Sequence, residues 1–346
     1  MVRADVLEVK AAADLLQRAQ QGWAEALAML AGQPVLAVDL DTDGEVPSLE
    51  LFPSFPGVVV GIGHKKVGRV SLAGVDVALA GPIDAPSPWV GVGDLDTGLE
   101  LVAAAVEDHP AASVILAQVL RVTGRHGLDH DLIAESLAYS SLQAGAEFAA
   151  WLRTQGPRAE PGPNPPGRVV VVERSDDRLD ITLSRPRVRN AYSSAMRDQL
   201  CEALAVACAD PSIGVVNLYG EGPDFCSGGD LAEFGTLTDP ACAHLVRTAR
   251  SACRLLGVVG DRVVAHLHGA CVGAGIELPA LAARVTAAPG TWMQLPEVGM
   301  GLIPGAGGTA TLPRRIGRHR TAWMSLSGQS VDTDTAHRWG LVDEVV

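Results

Sequence analysis

The segment from His268 to Gly308 constrains this chain most, because it sets isolated glutamates among glycines and apolar residues. The run RVVAHL at 262–267 predicts a buried strand that leads into it. Gly273 and Gly275 then allow the backbone to turn tightly and to approach a ligand closely. A helix that begins here would direct its first amides, and the positive end of its dipole, at the turn. The sequence therefore predicts a turn that can bind an oxyanion, with Glu277 beside it.

A second turn of the same kind is predicted upstream, in the sequence GPDFCSGGD at 222–230. It follows the apolar segment from Ile213 to Tyr219 and precedes a helix-like segment, so amides near Ser227 are expected to be free. Two amides that converge on one oxygen form an oxyanion hole, which contributes about 3 to 4 kcal/mol per donor to a developing enolate.

Two carboxylates accompany these turns. A thioester enolate needs one carboxylate near the adjacent carbon, and addition of water needs a second one to hold or deprotonate the water. Glu277 and Glu297 can supply the pair, although Glu277 could instead only compensate a helix dipole and Glu297 could begin a surface helix. His266 and His268 are expected to pack or bond locally. Asp230 is expected to fix its own turn through bonds to backbone amides.

Five motifs, in order, resemble the crotonase superfamily, that is, the enoyl-CoA hydratase/isomerase family. They are FCSGGD at 225–230, GACVGAGIEL at 269–278, LPEVGMGLIPGAGGT at 295–309, RRIG at 314–317 and WGLV at 339–342. The similarity opens in RLDITLSRPRVRNAYSSAM at 178–196 and covers about residues 168–346. It implies an α/β class fold, the crotonase-like spiral of ββα repeats, and an acyl-CoA substrate, with no cofactor beyond the coenzyme A of that substrate and no metal.

The resemblance also implies roles for individual residues. Backbone amides of Ser227 and Ala274 would polarise the thioester carbonyl, Glu297 would transfer the proton at the α carbon, and Glu277 would position water at the β carbon. The further substrate- and CoA-binding residues that it implies are Arg187, Arg189, Asn190, Gly228, Gly229, Asp230, Gly273 and Gly275. The chain departs from the family pattern at Ala274, where glycine is common, and at Ala232, where many relatives carry a lysine near the CoA phosphates.

The function expected from this resemblance is that of an enoyl-CoA hydratase-like lyase, because both glutamates are present. An enoyl-CoA isomerase of the same family needs only one proton-shuttling carboxylate and is the alternative among enzymes. A noncatalytic acyl-CoA-binding or scaffold subunit is the alternative from another class.

Length and composition bound these expectations. A chain of 346 residues predicts about two domains, and the Pro/Gly-rich stretch at 156–167 predicts the linker between residues 1–155 and 168–346. The net charge of −13 argues against nucleic-acid binding. No run approaches the roughly 20 apolar residues of a membrane span and no secretory signal is visible, so a cytoplasmic location is expected. The six cysteines form no CxxC pair and are expected to be small core residues.

The first half of the chain is predicted to be a mixed α+β domain that ends in a helical layer. An amphipathic helix is predicted over Val6 to Leu30, strands over Val35 to Leu40 and Gly57 to Ile62, and a hairpin or bulge within Val67 to Leu79. Helices are then predicted over 99–107, 111–123 and 131–153. The last would pack through one stripe, with a binding face as the alternative: Ile133, Leu137, Ser141, Ala144, Phe148 and Trp151.

The helical layer is given a specific role by the resemblance. In relatives, a C-terminal helical module follows the WGLV motif, covers the acyl pocket and supports trimer contacts. We expect the helices of residues 99–153 to fold back over the pocket in this chain, since the linker is long enough to allow it. A homo-oligomer, trimer or hexamer, is expected, and the N-terminal domain is the expected docking site if there is a protein partner.

Overall fold

The computed structural model describes residues 6–21, 34–49, 53–156 and 167–346. Its helices are α1 (Val9–Gln21), α2 (Leu95–Asp108), α3 (Pro110–Val122), α4 (Leu128–Gln143), α5 (Ala146–Thr154), α6 (Ser194–Ala209), α7 (Pro240–Ala249), α8 (Ala252–Val259), α9 (Ala274–Glu277), α10 (Gly308–Ile316), α11 (Arg318–Ser327) and α12 (Thr333–Trp339). Its strands are β1 (Val6–Glu8), β2 (Val35–Asp39), β3 (Val58–Gly63), β4 (Val77–Ala80), β5 (Val90–Gly91), β6 (Val170–Ser175), β7 (Arg178–Leu183), β8 (Val215–Gly220), β9 (Val263–Leu267), β10 (Ala270–Val272), β11 (Arg284–Ala287), β12 (Trp292–Gln294), β13 (Val331–Asp332) and β14 (Glu344–Val345).

The N-terminal half contains a parallel sheet in the sequential order β1-β2-β3-β4-β5. Strands β3 and β4 are buried at every residue, as expected for a parallel sheet covered on both faces. The predicted first helix is wrong at its start, because Val6–Glu8 pairs with β2 as a strand. The part of that prediction over residues 22–30 lies outside the described residues. The hairpin predicted in Val67 to Leu79 is also wrong, since the strand there pairs in parallel with β3.

The C-terminal half is built on a sheet in the order β14-β11-β9-β8-β7-β6, with a small second sheet in the order β10-β12-β13. Strands β6 and β7 form the predicted hairpin, and Leu179, Ile181 and Leu183 of β7 point into the core. Strands β7, β8, β9 and β11 run in parallel. The two glycine-rich turns follow β8 and β9, which are neighbours, so both turns emerge at the same edge of the sheet.

Helices α2 to α5 form a layer whose first two helices pack against the N-terminal sheet. Helix α4 packs against α7 and α10, and α2 and α3 pack against α11. The single helix predicted over 131–153 is two helices, which divide at Gly145. Just after the break, the Glu147 carboxylate accepts hydrogen bonds from the amides of Ala111 and Ala112 at the start of α3, where negative charge stabilises a helix.

The packing stripe predicted for α4 is wrong. Ile133 and Leu137 are 46% and 52% exposed, although Phe148 of α5 is buried as predicted. The buried face of α4 is polar instead and carries Asp131, Glu135, Ser136 and Ser140. These side chains find hydrogen-bond partners on the C-terminal half, which offsets the cost of burying them.

The two halves share one continuous apolar core, in which Leu79 and Leu116 belong to the same cluster as Ile276 and Leu312. Arg318 of α11 also donates to the carbonyl oxygen of Val75. Four cysteines, Cys201, Cys226, Cys253 and Cys271, are buried as predicted, whereas Cys242 is exposed. Within the described ranges, no helix has the length and apolar character needed to cross a membrane.

Candidate active site

The two glycine-rich turns lie side by side. The amide of Cys226 donates to the carbonyl of Ala270 at 3.1 Å, and the amide of Val272 donates to the carbonyl of Cys226 at 2.9 Å. A β-carbon on Gly275 would overlap the carbonyl oxygen of Cys226, so the close approach requires glycine there. The two predicted turns are therefore in direct contact in the folded chain.

Two backbone amides of these turns face a common cavity of about 490 Å³. Ala274 is the first residue of α9, and Gly229 lies between two residues that bond to Tyr192. The amide of Tyr192 donates to Gly228 at 2.7 Å and its carbonyl accepts from Asp230 at 3.1 Å, so the Gly229 amide points away from that pairing. Among the described residues, neither Gly229 nor Ala274 has an acceptor for its amide. Both residues line the cavity.

The predicted role of Ser227 in the oxyanion hole is wrong. Its amide donates to the carbonyl oxygen of Arg189 at 2.9 Å and is not available to a ligand. Ser227 does not line the cavity either. In this turn, Gly229 rather than Ser227 has an amide without an acceptor among the described residues and lines the cavity.

Glu277 and Glu297 both line this cavity. Glu277 is 2% exposed, and its Oε2 atom accepts from the amides of Ala306 at 2.8 Å and Gly308 at 2.7 Å. It is the last residue of the one-turn helix α9, and its side chain binds the two amides of a different segment. Glu297 begins a 3₁₀ turn, and its Oε2 atom is buried with no hydrogen-bond partner in the described structure.

The two carboxylates meet across Gly273. A β-carbon placed on Gly273 would lie 2.5 Å from Oε1 of Glu297 and 3.6 Å from Oε1 of Glu277. Gly273 has a φ of 50°, which glycine adopts without strain. Both Oε1 atoms therefore border the same small volume, next to the amide of Ala274.

Burial sets the protonation of this pair. Desolvation raises the pKa of Glu277 to about 7, against the lowering effect of its two backbone hydrogen bonds. Desolvation, and then the charge of Glu277, raises the pKa of Glu297 well above its ordinary value. Burial and the proximity of the two carboxyls thus favour a pair that holds a proton near neutral pH.

The helical layer of the N-terminal half covers this site. Tyr139 and Gln143 of α4 line the cavity beside Arg247 of α7. A third buried carboxylate, Glu135, accepts from the amides of Gly307 at 2.7 Å and Thr309 at 2.8 Å. Desolvation, and then the charge of Glu277, raises the pKa of Glu135 to about 8. The helices thus fold back over the cavity, as expected.

Of the other predicted binding residues, only Gly229 and Asp230 line the cavity. Asp230 also fixes its own turn, since it accepts from the amide of Ala232 at 3.1 Å. The prediction that Asn190 binds substrate is wrong. Asn190 is fully buried, with its Oδ1 accepting from Arg185 and its Nδ2 donating to the carbonyls of three residues: Glu221, Asp224 and Phe225.

The remaining predicted residues shape the turns or lie outside the cavity. Gly228, Gly273 and Gly275 are backbone positions of the two turns. Arg187 and Arg189 are exposed, and Arg189 pairs with Asp224 at 3.5 Å. The structure gives neither arginine a place at the cavity wall.

The two histidines bond locally, as predicted. His266 stacks on Tyr219 with ring centroids 4.5 Å apart, and its Nε2 atom lies 3.1 Å from Oδ1 of Asn217. His268 lies 3.0 Å from the carbonyl of Gly222 through its Nε2 atom.

Sequence reasoning missed Glu135 and gave Tyr139 and Gln143 no site role. The signal that could have found them is a polar stripe on α4, in which these three residues recur every four positions. Because the other face of the helix carries Ile133 and Leu137, this polar stripe would ordinarily be predicted to face solvent.

The chain matches the family model described as enoyl-CoA hydratase/isomerase over residues 174–346. It is 35% identical over 176 residues to the 2,3-dehydroadipyl-CoA hydratase of Escherichia coli K12, covering 51% of this chain and 68% of that protein. It is 32% identical over 179 residues to the probable enoyl-CoA hydratase echA8 of Mycobacterium bovis, again covering 51% and 68%. A crystal structure of the enoyl-CoA hydratase from Bacillus anthracis matches with a TM-score of 0.48 and 30% identity, covering 52% of this chain and 70% of that one.

These matches all fall on about half of this chain and on about two thirds of the two named hydratases. The family model and the two named hydratases confirm the resemblance to this family, and the matched residues leave an additional N-terminal region. This chain belongs to the enoyl-CoA hydratase/isomerase family.

Proposed function

We propose that this protein adds water to the double bond of a 2-enoyl-CoA thioester, and catalyses the reverse dehydration. The observation that carries the proposal is the meeting of Glu277 and Glu297 across Gly273, beside the unbonded amides of Gly229 and Ala274. An acid, a base and two oxyanion donors are the groups that this reaction requires.

In the proposed mechanism, the thioester oxygen accepts hydrogen bonds from the amides of Gly229 and Ala274. As water adds to the β carbon, negative charge develops on that oxygen, and each donor stabilises it by about 3 to 4 kcal/mol. The donors are backbone groups held by neighbouring hydrogen bonds, so little reorganisation accompanies the reaction.

Glu277 is suited to act as the base. Its Oε2 atom is held by two amides, which leaves Oε1 facing the cavity to take a proton from water as the water oxygen bonds to the β carbon. A pKa of about 7 leaves a useful fraction of this carboxyl ionised at neutral pH.

Glu297 is suited to act as the acid. Burial and the charge of Glu277 raise its pKa and so favour the protonated carboxyl, which donates its proton to the α carbon as the enolate collapses. After one turnover, the proton taken from water resides on Glu277, and Glu297 is ionised. Transfer of that proton within the coupled pair restores the starting state.

The experiment that tests the function is an absorbance assay of the unsaturated thioester over a panel of 2-enoyl-CoA substrates, with 3-enoyl-CoA substrates in parallel. Hydration of at least one 2-enoyl-CoA at a rate well above the buffer reaction is expected. Isomerisation of 3-enoyl-CoA with no hydration of any 2-enoyl-CoA would replace the proposal by the isomerase alternative. Binding of acyl-CoA without either reaction would favour the noncatalytic one.

A further inference from the structure

A second cavity, of about 260 Å³, adjoins the active-site cavity and has a basic wall. The two cavities share Tyr192, Arg197, Arg247, Gly305 and Ala306. Ala306 lines both cavities, and its amide donates to Oε2 of Glu277. The second cavity therefore opens directly beside the catalytic pair. We propose that it receives the far end of the acyl group, and that this end carries a carboxylate. The inference rests on the proposed function and extends it to the class of substrate.

The charges around the second cavity support an anionic guest. Four arginines line it: Arg197, Arg247, Arg250 and Arg254. The acids of this wall are Asp129, which is exposed, and Glu135, whose carboxylate is engaged by the turn at Gly307. In the described part of the chain, Arg247, Arg250 and Arg254 form no ion pair with any carboxylate. This excess of positive charge contrasts with a net charge of −13 for the whole chain.

Arg247 is the residue best placed to bind the carboxylate. It is half-buried between α7 and α4, and every acceptor that the described residues give it is neutral. Its Nη1 atom donates to Oε1 of Gln143 at 2.9 Å, and its Nη2 atom donates to the carbonyl of Ser136 at 3.3 Å and to the hydroxyl of Ser140. The Cζ atom lies 4.7 Å from the ring centroid of Tyr139.

This arrangement holds the guanidinium in place without neutralising it. The Nε atom also donates to Oγ of Ser136 at 3.2 Å, so one N–H of Nη1 remains for a ligand. A partly desolvated cation that has no ion pair gains strongly from one charge-assisted hydrogen bond to a carboxylate. Because the side chain is already ordered, little entropy is lost when it binds.

The route from the catalytic pair to Arg247 is short. Tyr139 lies against Gly305 on one side and Arg247 on another, and Gly305 precedes the residue whose amide holds Glu277. An acyl chain that extends from Glu277 past Gly305 and Tyr139 therefore runs toward Arg247. The nearest phosphate of coenzyme A is far from the thioester, because the whole pantetheine arm separates them.

The test compares two substrates that differ only at the last carbon, trans-2-hexenoyl-CoA and its ω-carboxylate analogue, hex-2-enedioyl-CoA. We expect the wild-type protein to favour the dicarboxylate in kcat/KM by about tenfold or more, as a charge-assisted hydrogen bond provides. Arg247→Gln should bring that ratio close to one, and Arg250→Gln or Arg254→Gln should lower it less. The matched control is Arg153→Gln, an exposed arginine of α5 that lines neither cavity, and it should leave the ratio unchanged.

Calorimetric binding of saturated adipoyl-CoA, hexanoyl-CoA and free coenzyme A separates this inference from the proposed function. If neither enoyl substrate is hydrated but adipoyl-CoA binds tighter than hexanoyl-CoA in an Arg247-dependent manner, the catalytic proposal fails and the carboxylate site stands. A wild-type protein that binds or hydrates the two acyl groups equally would overturn the carboxylate site. The site would also be overturned if Arg247→Gln lowered the affinity for free coenzyme A as much as the affinity for adipoyl-CoA, since the arginine would then bind a phosphate.

Discussion

Glu135 and Glu277 bind alternate amides of one turn, although they come from opposite sides of the Pro/Gly linker. Glu277 accepts from Ala306 and Gly308, while Glu135 accepts from Gly307 and Thr309. Each carboxylate therefore helps to fix the turn that holds the other. The charge of Glu277 also opposes ionisation of Glu135, so the protonation of a helix in the N-terminal half is coupled to that of the carboxyls proposed to be catalytic.

Glu135→Gln should alter the pH dependence of hydration. The pKa of Glu135, about 8, lies above that of Glu277, about 7, so Glu135 is mainly protonated while Glu277 ionises, and its removal should leave the acid limb of kcat against pH nearly in place. The change should appear on the alkaline side, because the variant has no second carboxyl to ionise beside Glu277. We expect kcat at neutral pH to fall by about tenfold, because an amide replaces a carboxylate that accepts from both Gly307 and Thr309. Glu202→Gln, at an exposed position of α6, is the matched control. A profile for Glu135→Gln that is unchanged on the alkaline side would argue that Glu135 has no influence on Glu277.

Stability should decrease as pH rises from about 5 to about 9. The pKa values of Glu135 and Glu277 are about 8 and about 7 in the folded chain, above the ordinary value of 4.5. The folded state therefore binds these protons more tightly, so the stability they contribute is complete below the unfolded pKa and is lost as pH rises through the folded values. Thermal melts between pH 5 and 9 should show Tm falling over this window. The fall should be smaller for Glu135→Gln, and an equal fall would contradict the assignment.

The amide of Ala274 can be removed with little disturbance of the helix, because Ala274 is the first residue of α9 and proline is tolerated there. Ala274→Pro should lower kcat by about 10²- to 10³-fold, as loss of one oxyanion donor does. Ala274→Gly keeps the amide and should stay within about fivefold of wild type by the same reasoning. Ser227→Ala should be mild, since the Ser227 amide serves the carbonyl of Arg189. Comparable activity for the proline and glycine variants, with matching thermal melts, would remove Ala274 from the oxyanion hole.

The contact between α4 and the active-site turn can be tested at a glycine. A β-carbon on Gly305 would overlap the ring of Tyr139, whereas one on Gly299 would meet no atom within 4 Å in the described structure. Gly305→Ala should therefore displace α4 and reduce hydration by about tenfold or more, as misplacement of positioning groups commonly does. Gly299→Ala should leave turnover unchanged. Full activity in Gly305→Ala would show that the helical layer does not support catalysis.

Local patterns were sufficient to single out the two glutamates that the fold brings together at one cavity. Glu277 and Glu297 are noticeable because glycines surround them, and glycine-rich segments are not typical of a surface helix. Those glycines instead allow the two turns to pack together. The prediction that the Ser227 amide is free is wrong, because the direction of each amide in this turn depends on which residues pair with Arg189 and Tyr192. That pairing is a tertiary contact, so the residues around Ser227 do not predict it.

The helical layer was harder to predict in detail. Its existence follows from the apolar content of α2 and α3, but the face of α4 that becomes buried is polar. Glu135 and Ser136 are buried because the turn at Gly307 and the guanidinium of Arg247 offer them hydrogen bonds. Those partners lie more than a hundred residues away in the chain. Periodicity counts apolar residues and so selected Ile133 and Leu137, which remain exposed.

The most direct test of the two-carboxylate mechanism is the turnover of Glu277→Gln and Glu297→Gln on the best 2-enoyl-CoA. The account predicts that each substitution lowers kcat by about 10²- to 10⁴-fold, the usual contribution of a positioned acid or base, while affinity for the saturated acyl-CoA is largely kept. Wild-type turnover in either folded variant would contradict the mechanism.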